Sequence, residues 1–231
     1  MTTAGFQSIE ELGRFISNDP TLSFLKREAE KQLQNDPSHD IFHALRVALW
    51  TIRLNPKGNV YNAITAALLH DFVNIPKDDP RRAFASELSA NEARKLLSQL
   101  ERYSSEDIDD ICDAIRDHSF SRGSIPVSEL GMALQDADRL EALGVLGVFR
   151  NISCGTLMQA KFFCPEDPWG KSRDLNDKRF SVDHYPIKLF KLEETMNTEL
   201  GKREATIRTN RMKRMLIELG EEIGSECDFV S

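Results

Sequence analysis

At 231 residues, with 40% hydrophobic and 29% charged side chains, the chain is long enough to bury one large core, and disorder over its whole length is excluded. A formal net charge of −7 and a pI near 5.4 exclude tight sequence-independent binding to a nucleic-acid polymer, which needs many cations on one face. No apolar run approaches the roughly 18 residues that span a bilayer. Met1 to Phe6 lack a basic region followed by an apolar stretch, and Cys112, Cys154, Cys164 and Cys227 show no C-x-x-C spacing. The expectation is a cytoplasmic protein with reduced thiols and no membrane partner.

Periodicity is helical almost throughout. Leu22, Leu25, Ala29 and Leu33 recur at helix spacing, as do Leu45, Ala48, Leu49 and Ile52. Asn55-Pro56-Lys57-Gly58-Asn59 breaks the chain before the apolar run Ala63 to Leu69, which ends in His70-Asp71. Pro76 and Pro80 then deny continuation, so the His-Asp pair is expected at a helix-to-loop junction. Ser89 with Glu92 signals a helix over Ala93 to Leu100, and Ser104 or Ser105 opens Ile108 to Ile115. Leu130 to Val148 reads as one helix, with Gly144 and Gly147 marking close packing rather than a break. An irregular stretch, 162–182, follows, and helix returns over 184–223, its Met-rich last segment assigned to the core. No alternating strand pattern, internal repeat or Gly-rich phosphate loop is present. The fold class expected is all-α.

An imidazole and a carboxylate at the end of an apolar helix are costly to bury without partners. A lone His-Asp pair is most often a hydrogen-bonded helix terminus. Here the chain also holds His39-Asp40-Ile41-Phe42-His43-Ala44-Leu45-Arg46-Val47 upstream and Gln135-Asp136-Ala137-Asp138-Arg139-Leu140 downstream. Two neutral nitrogens with two anionic oxygens complete a ligand set for a borderline or hard divalent ion, with room for water.

These stretches, with Asp117-His118-Ser119-Phe120-Ser121 and the C-terminal Lys188-Leu189-Phe190-Lys191-Leu192, resemble the HD-domain metal-dependent phosphohydrolase superfamily, in its YedJ/YpgQ-like branch. The resemblance implies an HD-type helical bundle with a C-terminal helical extension, one domain over 1–231 with its motif core at about 39–140. It places the metal ligands on His43, His70, Asp71 and Asp138. His43 is preferred to His39 because it stands three residues before Arg46-Val47, and Asp138 to Asp136 because it follows an alanine and precedes Arg-Leu. Two-metal members place two further histidines between His-Asp and the last Asp; only His118 lies there, so one divalent ion is expected. Manganese is the ion implied, with magnesium, cobalt, nickel, iron or zinc as alternatives.

The resemblance also implies hydrolysis of a phosphoester or phosphoanhydride, in a nucleotide or another small phosphorylated metabolite, by metal-activated water; pyrophosphate release is one outcome. No Ser-His-Asp or Cys-His set argues for a covalent intermediate. His118 and His39 are the candidates for proton transfer, and Lys77, Arg122 and Lys188 for substrate phosphate, although any single Lys or Arg is usually a solvated surface residue. His184 resembles a family histidine at the start of the C-terminal helix, but Pro186 replaces the acidic residue expected near it. Phe42, Phe72, Phe120 and Phe149 could stack on a base but read as core. Two other functions share this scaffold, a di-iron oxygenase and a catalytically silent metal- or nucleotide-binding regulatory module. A homodimer is compatible with all three.

Overall fold

A computed structural model describes residues 5–32, 40–73, 75, 79–119 and 122–230. His39 and Lys77 lie outside the described residues. The chain divides into two compact units, Met1–Asp138 and Arg139–Ser231. Among the described residues both units are built of helices and turns, with one isolated bridge between Lys161 and Phe180, so the all-α expectation holds.

The first unit contains α1 (Ile9–Asn18), α2 (Pro20–Gln32), α3 (Ile41–Leu54), α4 (Val60–Leu69), α5 (Ala85–Leu97), α6 (Ser105–Asp117) and α7 (Glu129–Leu140), the last reaching two residues past its boundary. α3 and α4 form one packed pair and α5 and α6 another, with α4 also against α6 and α2. Leu22, Leu25, Ile64, Leu68, Ile111 and Ile115 are fully buried, each contributing roughly 1.5–3 kcal/mol of hydrophobic stabilisation. The helix starts are chemically specified. Asn59 caps α4 through the amides of Tyr61 and Asn62, and Ser104 with Asp107 closes a reciprocal capping box on α6.

Two helix boundaries differ from the sequence reading. α5 begins at Ala85, a turn ahead of the Ser89 expected to cap it; Ser89 lies inside the helix, fully buried, and its hydroxyl accepts from the Val73 amide at 3.0 Å. The expected single helix over Leu130 to Val148 is two, because the chain leaves α7 at Leu140 and starts α8 (Gly144–Leu157) with Gly144 at φ 72°, a conformation that penalises any Cβ. Gly147 does mark close approach: a Cβ there would stand 2.2 Å from the Ala142 carbonyl oxygen.

In the second unit α8 packs on α10 (Glu199–Ile223), and the short α9 (His184–Ile187) sits between two 3-10 turns. Of the Met-rich segment, Met212 and Leu216 are buried, whereas Ile207 is 48% exposed. The irregular stretch is tied down: Asp183, fully buried, accepts from both terminal nitrogens of Arg173 at 2.6 and 2.8 Å and from the Asn176 amide at 2.6 Å. Trp169 Nε1 donates to the Ser225 carbonyl at 2.9 Å beyond the end of α10.

Candidate metal centre

The expected ligands come from three places in the first unit. His43 stands in the first turn of α3, where the Asp40 carboxylate accepts from its backbone amide at 2.7 Å. His70 is the residue that ends α4, and Asp71 follows it into the turn. Asp138 lies in the last turn of α7. His118 occupies at the end of α6 the same position that His70 occupies at the end of α4.

These side chains converge. His43 Nε2 is 3.2 Å from His70 Nε2 and 3.5 Å from Asp138 Oδ1, and His70 Nε2 is 3.4 Å from Asp71 Oδ2. His118 Nε2 is 3.7 Å from Asp71 Oδ1, its ring edge-on to His70 with centroids 4.9 Å apart. Two overlapping triads result, His43-His70-Asp138 and His70-Asp71-His118, in each of which one donor atom per residue lies within 4.8 Å of the others. The three histidines are almost wholly buried, while Asp138 and Asp71 keep 26% and 29% of their side chains accessible, which gives the cluster an approach from solvent.

Tautomers are set by the backbone. His70 Nδ1 lies 2.7 Å from the Ala67 carbonyl and His118 Nδ1 lies 2.6 Å from the Ile115 carbonyl, in each case three residues back. A carbonyl only accepts, so both Nδ1 atoms carry the proton, and in the neutral ring Nε2 turns a lone pair toward the cluster. Burial lowers the His70 pKa to about 4, against the opposing charge of Asp71, so the ring is neutral at physiological pH. Burial works against the Asp138 carboxylate too, yet hydrogen bonding and charge from His43, with His70 and His118, hold it well below the usual carboxylate range. His118 is pushed the other way: burial opposes its charged form, but Asp71 and Asp138 raise its pKa overall.

Neutral nitrogens and ionised oxygens facing one point are what a divalent cation requires of its ligands. Two atoms each about 2.1 Å from a shared ion stand roughly 3–4 Å apart. The separations within the first triad, 3.2 and 3.5 Å, fit.

The other candidates are placed as follows. Arg122, four residues after His118, pairs with Glu87 at 3.0 Å. Lys188 is exposed and belongs to the second unit, as does His184, whose Nδ1 lies 2.8 Å from Asp177 Oδ2. Asp136 is fully buried. Phe42 and Phe149, read from sequence as core, are 60% and 66% exposed, because the apolar faces of α3 and α8 bury other residues. Three residues around the cluster carried no site role in the sequence reading: Asp40, Ser89 and Gln135. Only Asp40 had a usable signal, a capping side chain one residue before a helix.

A family model for the HD domain matches residues 41–143, a span that contains every one of the converging side chains. The protein YpgQ of Bacillus subtilis is 30% identical over 193 residues, covering 80% of this chain and 84% of that one. A crystal structure of Bacillus subtilis YpgQ in complex with ADP superposes with a TM-score of 0.67 at 25% identity, over 87% of this chain and 93% of its own. An HD-superfamily hydrolase from Bacillus thuringiensis gives the same TM-score at 26% identity, over 88% and 97%. With its two-thirds-and-more coverage of such a relative, and the histidines and aspartates gathered inside the matched span, the chain belongs to the HD-domain superfamily, in the branch of the YpgQ-like proteins.

Proposed function

We propose that this protein is a divalent-metal-dependent phosphohydrolase that cleaves a phosphoester or phosphoanhydride of a small phosphorylated molecule, a nucleotide first among them. The observation that carries the reading is the pair of half-open triads, His43-His70-Asp138 and His70-Asp71-His118, that share His70. A nucleotide substrate is supported by the relative whose crystal structure holds ADP. His43, His70, Asp71 and Asp138 would hold the divalent ion, manganese being the first to try, and the ion would supply a water of lowered pKa and polarisation of a phosphoryl oxygen.

The protein's own groups do the rest. The Ala67 carbonyl keeps His70 in the tautomer that presents Nε2. His118, beside Asp71, is positioned to hold or deliver a proton at the reacting oxygen, with His39 the other candidate. Arg122 serves substrate phosphate by exchanging its Glu87 partner for the incoming anion, and Lys77 and Lys188 are the further cations proposed for that role.

The test is a panel of nucleoside mono-, di- and triphosphates and other phosphate esters with manganese, magnesium, cobalt and nickel, reading phosphate and pyrophosphate separately. Asp71→Ala should lose both metal and turnover while keeping its helical circular dichroism; undiminished turnover by that variant would overturn the proposal. The meeting of both triads at His70 favours one second reading, a di-iron oxygenase. Two irons per chain with oxygen uptake, and no phosphate release, would select it.

A further inference from the structure

Gln135 sits one turn before Asp138 on α7 and shares its helix face. Its side chain is buried, with 1% exposure, and its amide nitrogen donates to two backbone carbonyls, Asp117 at 2.8 Å and Ser124 at 2.9 Å. Asp117 is the last residue of α6 and immediately precedes His118; Ser124 lies two residues after Arg122. Both hydrogens of one NH2 group therefore bind the two ends of this segment. Helix-terminal carbonyls lack an intrahelical partner, and here the partner comes from the helix that bears Asp138.

We propose that Gln135 is a positioning residue of the site, tying Asp117 and Ser124 to α7 so that His118 is held at its place beside Asp71. The proposal rests on the phosphohydrolase reading for its kinetic consequence, and on the two hydrogen bonds for its structural one. His118 and Asp138 reach the cluster from different helices, and Gln135, one turn before Asp138, links α7 to the end of α6 by a hydrogen bond. An amide that merely satisfied buried carbonyls would alter stability alone. A positioning amide acts through His118, and the two can be told apart.

Gln135→Met keeps the length and volume of the side chain and removes both donors. In the metal-free protein, amide hydrogen exchange across 117–124 should quicken about tenfold, the equivalent of one hydrogen bond of ordinary net strength. With metal, kcat should fall roughly 10- to 100-fold, as expected of a catalytic group displaced by about 1 Å, while bound metal stays at the wild-type level and KM moves less than about threefold. In a His118→Ala background the same substitution should cost less than about twofold in kcat. Gln135→Asn, which retains the amide but is too short to reach both carbonyls, should fall between wild type and Gln135→Met and covers the case in which the methionine variant folds poorly. Unchanged exchange in Gln135→Met, or a full multiplicative loss of kcat on top of His118→Ala, would overturn the proposal. Quickened exchange in a protein whose wild type hydrolyses no phosphate compound would instead overturn the reaction assigned and uphold the tie.

Discussion

Asp183 in the second unit and the His43-His70-Asp138 cluster in the first both place polar or charged groups where water is scarce, and they are completed in opposite ways. Around Asp183 every demand is met by the chain itself: Arg173 grips both carboxylate oxygens and the Asn176 amide adds a third donor. The arrangement is closed, and it fastens an otherwise irregular stretch. In the first unit, nitrogen faces nitrogen at 3.2 Å and the backbone turns the His70 and His118 lone pairs inward. That geometry concentrates acceptors, and it is one that a cation would complete. A buried ion pair saturated by its own chain reads as architecture, whereas converging acceptors with an open side read as chemistry.

The comparison can be broken from either end. The largest effect is expected for His70→Ala, with turnover down at least about a thousandfold, on the scale of losing a metal's Lewis-acid and water-activating roles, and metal absent by elemental analysis, yet with helicity retained because the α4 core residues are untouched. Asp183→Ala should do the reverse. Removing one partner of a buried pair costs about 3–5 kcal/mol, read by urea denaturation, while the metal bound per folded chain stays the same.

A third effect concerns acid. In the metal-free protein the His70 pKa is about 4, below its ordinary 6.5, so between those values the unfolded chain binds the extra proton. Stability is complete above about pH 6.5 and declines toward pH 4, by about 3 kcal/mol for this group. His118, shifted upward, works in the opposite direction, so the measurement is the difference between the wild-type and His70→Asn stability curves; a difference flat across that window would refute the assignment. The smallest effect is Asp40→Ala, which removes the α3 cap and should cost about 1 kcal/mol by thermal unfolding.

Helices whose boundaries are written in local chemistry were legible in the sequence. Asn59, Ser104 and the apolar run ending at His70 each state where a helix begins or ends, and the motif histidines and aspartates stand at such ends. The break between α7 and α8 was not legible, because a glycine in a helical pattern reads alike whether its φ is negative or the 72° seen at Gly144. Ser89 misled for a related reason: its hydroxyl answers the amide of Val73, a partner that local sequence does not reveal. Gln135 is the extreme case, since its amide nitrogen donates to main-chain carbonyls and no residue type at either position announces the contact. Exposure of Phe42 and Phe149 likewise depends on which face each helix turns inward.

The matched endings of α4 and α6 tie protonation state to chain length. Inside a continuing helix the carbonyls of Ala67 and Ile115 would be taken by the amides four residues on; because each helix stops, those oxygens are left for the Nδ1 protons of His70 and His118. Lengthening either helix by a turn would therefore reassign the acceptor and loosen the choice of tautomer without altering a single donor residue. In this scaffold, where a helix ends is itself a determinant of which nitrogen faces the cluster.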